Sequence, residues 1–362
     1  VHAWFSFHLI HLTDILEFIE MDKCLSFLHR LSGILAATSM LTVAMTTYAA
    51  NEIVVYTARN EQLIKPLFDA YTKETGTSIK FLTDKEGALL QKLKAEGANT
   101  PADMLITVDA GNLWQATKLG LLQPVQSKTL LENVPAHLRD PANQWFGLSV
   151  RARTIIYNKN KVKSDALSTY EDLGNPKWKG RLCLRTSKSV YNQSLVAMMI
   201  QEYGEPKTEQ IMKSWVANLA TPPIADDARA MAAVAAGQCD ITVVNTYYFG
   251  GLMKKKPNLP LAIFWPNQNT KDSGVHVNIS GAGITRHAKH QAEAVKFLEW
   301  LSSEKAQNLF ADVNMEYPVN PKVKPDATVA AWGEFKQNPL NVVKAGELQT
   351  AAVKLMDRAR YK

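Results

Sequence analysis

The chain has 362 residues, of which 46% are hydrophobic and 21% charged. This is the ordinary balance of a globular protein, and it excludes collagen, coiled coil and disorder. The length suggests two domains or lobes and suffices for a large core without staples. The formal net charge is +7, but Lys254-Lys255-Lys256 is the only dense basic cluster, which argues against nucleic acid as a partner.

The first 50 residues read as processing signals rather than fold. Residues 1–20 precede a start at Met21 and read as a non-native upstream extension. Residues 21–49 read as a secretory signal peptide: Lys23 and Arg30, then an apolar run from Leu31 to Met45, then Thr47-Tyr48-Ala49 with the cut after Ala49. The apolar run is shorter than the roughly 20 residues a membrane-spanning helix needs. Cys24 precedes that run and is misplaced for a lipoprotein cysteine. The expected mature protein is periplasmic, with no integral membrane segment. From residue 51 onward it carries 39 Lys+Arg against 30 Asp+Glu, a net +9. Such a charge can steer anions, or simply be a basic surface.

Short apolar strands then alternate with amphipathic helices, which predicts an α/β fold. Strands are expected at 53–56, 78–82 and 102–108. Helices are expected at 62–75, where Leu63, Leu67, Phe68 and Tyr71 share a face, at 87–96 and at 112–119. Gly76 and Gly120 stop two of them. Two long β-rich segments follow, at 145–157 and 275–284, with a self-contained α/β stretch between them. The predicted architecture is two lobes joined by two hinge crossovers, with residues 50–150 and 276–362 in lobe 1 and 151–275 in lobe 2. Such a chain closes on a ligand by hinge bending. The helical tail from Ala327 to Lys362 is expected to brace the first lobe.

Removing the signal peptide leaves Cys183 and Cys239. An oxidising compartment permits a disulfide, and two cysteines allow one intramolecular pairing. The bridge would close a loop of about 55 residues and contribute roughly 4 kcal/mol. Tyr191 lies eight residues after Cys183, and Tyr247 lies eight after Cys239, with Tyr248 next to it. If the two segments run parallel from the bridge, their far ends bring three phenols together outside the carboxyl ends of strands, where ligands of open α/β sheets bind.

A phenol cluster suits one chemistry well. Fe³⁺ is hard and prefers anionic oxygen donors. Three phenolates would neutralise its charge, a carboxylate, water or small anion would complete the coordination, and binding would release protons. Zinc favours His and Cys instead. The pattern also admits plain packing tyrosines with satisfied hydroxyls, or a Tyr-Tyr pair stacked on an organic ligand.

The sequence around these residues resembles the ferric-binding periplasmic proteins of the FbpA/FutA type, which have the type II periplasmic-binding-protein fold. The resemblance runs over the mature chain. It is carried by Val55-Tyr56-Thr57-Ala58-Arg59, Ser149-Val150-Arg151-Ala152-Arg153, Leu182-Cys183-Leu184-Arg185 and Val190-Tyr191-Asn192-Gln193-Ser194. Further along, it is carried by Gly237-Gln238-Cys239-Asp240, Asn245-Thr246-Tyr247-Tyr248, Val277-Asn278-Ile279-Ser280-Gly281-Ala282-Gly283 and Glu316-Tyr317-Pro318-Val319-Asn320. It implies that Tyr191, Tyr247 and Tyr248 are iron ligands from the second lobe. It also implies a membrane ABC permease with its ATPase as partner, and a monomer.

Several members of that family carry a His-Tyr pair where this chain has Asn60 and Glu61. Glu61 then either swings in as a carboxylate ligand or begins a helix, where negative charge is favourable. Arg59 is a candidate partner for a synergistic carbonate or other small anion, because a guanidinium matches a carbonate edge. Arg151 and Arg153 lie near the crossover and either face the cleft or form hinge salt bridges. An organic or oxyanion ligand on the same fold is the alternative reading. No H-E-x-x-H, G-x-S-x-G or Walker motif is present. His137, His276, His287 and His290 lack a nucleophile partner, so no enzyme is expected.

Overall fold

The computed structural model describes residues 52–362. The expected upstream extension and signal peptide lie outside the described residues. Strand β1 (Glu52–Thr57) leads into helix α1 (Glu61–Thr75). Ile64, Leu67, Phe68 and Tyr71 are buried on one helical stripe. Gly76 ends the helix at φ 74°, a left-handed conformation open to glycine. Strand β2 (Ser78–Thr83), helix α2 (Glu86–Glu96), strand β3 (Met104–Thr107) and helix α3 (Ala110–Lys118) follow. β1 pairs in parallel with both β2 and β3, so the α/β alternation read from the sequence is what forms.

The next segment is β4 (Phe146–Asn158), buried along its whole length. β5 (Leu182–Cys183) and helix α4 (Val190–Ala217) come next, the helix broken at Gly204 by a left-handed φ of 75°. Then follow α5 (Asp227–Ala235), β6 (Ile241–Asn245), α6 (Thr246–Lys255) and β7 (Leu261–Phe264). β8 (Val277–Ile284), α7 (Gln291–Leu301), α8 (Glu304–Asn314), β9 (Tyr317–Pro318) and α9 (Gln349–Arg358) complete the elements that matter here.

Among the described residues the strands form a continuous path in the order β2-β1-β3-β8-β4-β6-β5. β4 is the bridge in this path. Its first half pairs with β8, from Phe146↔Ala282 to Ala152↔Val277, while its second half pairs with β6, from Arg153↔Asn245 to Tyr157↔Ile241. One strand therefore belongs to two cores. The first is built on Ile53, Leu67, Leu105, Phe146 and Phe297. The second is built on Ile155, Trp178, Leu195, Trp215 and Ile241, with a satellite around Met231, Val244 and Phe249.

The tail departs from expectation. Val342 and Val343 join the first core, but Ala352, Leu355, Met356 and Tyr361 join the second. The apolar stripe of α9 at i, i+3 and i+4 packs on α4 rather than on the first core. The tail thus ties the two halves together.

Candidate metal-binding cleft

Cys183 and Cys239 are bonded, with Cα atoms 5.8 Å apart, and both are buried in the satellite core. β5 and β6 run parallel, with Cys183 opposite Thr242. Each strand then feeds a helix. Tyr191 is the second residue of α4, and Tyr247 and Tyr248 are the second and third of α6. Two parallel strands, each leading to a helix start, therefore deliver three phenols to one place.

The phenols meet. Tyr247 Oη donates to Tyr191 Oη at 3.2 Å. The Tyr247 and Tyr248 ring centroids are 4.3 Å apart. All three rings are half-buried and line a cavity of about 230 Å³. The opposite wall includes Arg59, Asn60, Leu63, Glu86, Val108 and Glu316. Helix N-termini carry partial positive charge, which favours anionic oxygens there.

Two guanidiniums flank Tyr191. Arg151 Cζ lies 4.9 Å and Arg185 Cζ 5.2 Å from its ring centroid. Burial pushes the Tyr191 hydroxyl up to about 12, with Arg151 pulling the other way. Burial also raises Tyr247 well above the ordinary phenol value, and charge on Tyr191 or Tyr248 would raise it further. Both phenols are therefore protonated at neutral pH, and only a strongly charged cation would draw off their protons.

The arginines divide by role. Arg59 lies against the cleft and pairs with Glu316, Nη2 to Oε2 at 2.9 Å, while Nη1 donates to Ser280. Its Nε is buried without a partner among the described residues. Arg151 pairs with Asp109, Nη2 to Oδ2 at 3.1 Å, and its buried Nη1 is likewise unpartnered among the described residues. Arg153 does not line the main cavity; it borders a small pocket behind it with Arg151 and Tyr191, and the salt-bridge role considered from the sequence is the one it takes. Its guanidinium is taken up by Asp227 at 3.1 Å, Asn192 at 2.9 Å and Asn245 at 3.0 Å. Those asparagines sit beside Tyr191 and two residues before Tyr247, so Arg153 braces the starts of both tyrosine helices.

Asn60 reaches the cavity, but Glu61 does not. Glu61 is exposed at the first position of α1, the helix-start place that was its other reading. The cleft also contains residues that sequence reasoning missed. Glu86 and Glu316 are carboxylates on its wall, and Arg185 and Asp109 act from just behind it. Glu316 and Arg185 stood within motifs of the resemblance; Glu86 and Asp109 gave no signal beyond lying near helix starts. Among the described residues, no group of three or more His, Cys, Asp or Glu side chains offers a different metal site.

A family model described as "Bacterial extracellular solute-binding protein" matches residues 66–337. The chain belongs to the bacterial extracellular solute-binding protein family. Among relatives of this solute-binding protein, iron uptake protein A1 of Synechocystis sp. is 43% identical over 326 residues, 88% of this chain and 90% of that protein. The solved structure of Trichodesmium FutA in complex with iron and citrate is 44% identical, with a TM-score of 0.82, and covers 86% of this chain and 100% of that one. Mannheimia haemolytica ferric iron-binding protein A in an open conformation is 38% identical, with a TM-score of 0.80, covering 86% of this chain and 99% of that one. The α/β solute-binding fold expected from the sequence is the fold of these neighbours.

Proposed function

We propose that this chain captures Fe³⁺ in the periplasm and delivers it to an ABC importer, holding the ion through the phenolates of Tyr191, Tyr247 and Tyr248. The convergence of three phenols at two helix starts carries the reading. The relatives' recorded cargo supports it, since iron or ferric iron stands in their names. The first lobe holds 50–150 with 276–348 and the second holds 151–275 with α9 of the tail packed on it, and residues 21–49 direct export. Iron binds first to the tyrosine wall, where each phenol gives up its proton as its oxygen bonds the ion. The first lobe then closes over it, and the permease with its ATPase reads the closed monomer. A carbonate or other small anion completes the site, drawn by Arg59 and Arg151, whose Nε and Nη1 atoms are unpartnered among the described residues.

The test is iron content after ferric citrate loading and desalting. The mature protein retains one iron per chain, and the double variant Tyr247→Phe, Tyr248→Phe retains none while its unfolding transition stays cooperative. Retention by the double variant equal to the native protein would overturn tyrosine ligation. An iron-free native protein would move the reading to an organic or oxyanion ligand.

A further inference from the structure

The three phenols all come from the tyrosine side of the cleft. An ion with about six oxygen donors would leave its other face turned to the opposite wall. Two carboxylates line that wall, Glu316 and Glu86. Glu316 is committed: its oxygens accept from Arg59 at 2.9 and 3.4 Å. Glu86 forms no ion pair and no hydrogen bond to another side chain among the described residues. Burial raises its carboxyl above the ordinary carboxylate value, against the pull of its own backbone N–H and of Arg151.

Glu86 is also rigidly mounted. It is the first residue of α2, and Leu89, Leu90 and Leu93 of that helix are buried in the first core. An acidic residue at a helix start can be there for the helix alone. Glu61 is the internal contrast: it holds the same position in α1, yet it is exposed and lies outside the cavity, whereas Glu86 is half-buried and lines it. Val108 and Leu63 on the same wall offer no donor, and Asn60 offers only a neutral amide.

We infer that Glu86 supplies the carboxylate oxygen from the first core that bonds the cation held by Tyr191, Tyr247 and Tyr248, and so couples loading to closure of the cleft. The inference rests on the ferric reading above. Three phenolates neutralise the ion, and the added negative charge faces the Arg151 guanidinium on the same cavity. Because Glu86 moves with the first core and the phenols with the second, its bond to the ion forms only as the walls approach. Iron held by the tyrosines alone would be exposed to competing chelators.

The test uses the mature protein with Glu86→Gln, Glu86→Asp and Glu61→Gln, each loaded with ferric citrate. Two quantities are read: the phenolate-to-iron absorption band, and the rate of iron loss to excess EDTA. Glu86→Gln is expected to keep a band with a shifted maximum and to lose iron about 10- to 100-fold faster. Glu86→Asp partly restores the slow rate, and Glu61→Gln matches the native protein in both readings. A Glu86→Gln protein with the native band maximum and a release rate within about two-fold of native would overturn the inference while leaving tyrosine ligation intact. Absence of the band in the native protein would overturn both. Far-UV circular dichroism checks that all three variants are folded before their release rates are compared.

Discussion

Ser194 Oγ donates a hydrogen bond to Asp109 Oδ2 at 2.8 Å. Ser194 stands one helical turn beyond Tyr191 on α4, in the second core, and Asp109 caps α3 in the first by accepting from Gly111 N at 2.8 Å. The same Oδ2 accepts from Arg151 at 3.1 Å and from Asn278 at 3.0 Å. One buried oxygen thus gathers the tyrosine helix, the bridging strand β4 and strand β8.

Removing this junction leaves Arg151 buried without its carboxylate. Asp109→Ala is expected to cost about 3 kcal/mol at pH 7 in urea unfolding. The pH dependence has a definite sign. Burial, the largest influence, pushes the Asp109 carboxyl up to about 6, against the pull of Arg151 and Ser194. A raised folded-state pKa gives stability that is complete below about 4 and lost as pH rises through about 6. The gap between the native protein and Asp109→Ala should therefore widen as pH falls across that window. A gap that narrows would contradict the assignment.

Cation binding should carry the opposite dependence. Tyr191 and Tyr247 hold their protons more tightly than a free phenol, for the burial reasons given. Each phenolate bond to iron therefore releases a proton, about three per ion from the tyrosine wall. Calorimetry of ferric loading in buffers of different ionisation enthalpy, corrected for the protons of the iron source, counts them. Affinity rises with pH, and a count near zero would mean neutral phenols that only pack or donate hydrogen bonds.

The disulfide closes a loop across a sequence separation of 56. Cys183→Ser with Cys239→Ser is expected to lower unfolding free energy by about 4 kcal/mol on the chain-entropy account. The parallel register of β5 and β6 is also set by backbone hydrogen bonds. Iron should still bind to the double variant at temperatures where it stays folded, which equilibrium unfolding and loading measured together will check.

The tyrosine cluster was legible because its geometry is written in spacing. The parallel pairing of β5 and β6 carries both segments the same way, although Cys183 pairs with Thr242 rather than Cys239, so Tyr191 lies eight residues beyond the paired position and Tyr247 five. Arg153 was less legible. It alternates with Arg151 along β4, so period-2 logic treats the two alike, but β4 changes partners between Ala152 and Arg153. One guanidinium consequently faces the cleft and the other the helix starts. Glu86 was not legible, because an acid at a helix start looks the same whether it faces solvent or a cavity. The tail was misplaced because the apolar stripe of α9 says that one face is buried, not against which core.

The most direct test is a ferric citrate titration of the mature protein followed by visible absorption, beside Tyr191→Phe. The account predicts a phenolate-to-iron charge-transfer band that saturates near one iron per native chain and is lost or strongly weakened in the variant. A native protein that binds no iron, or binds it with no such band, would contradict the claim that these phenols hold the cargo.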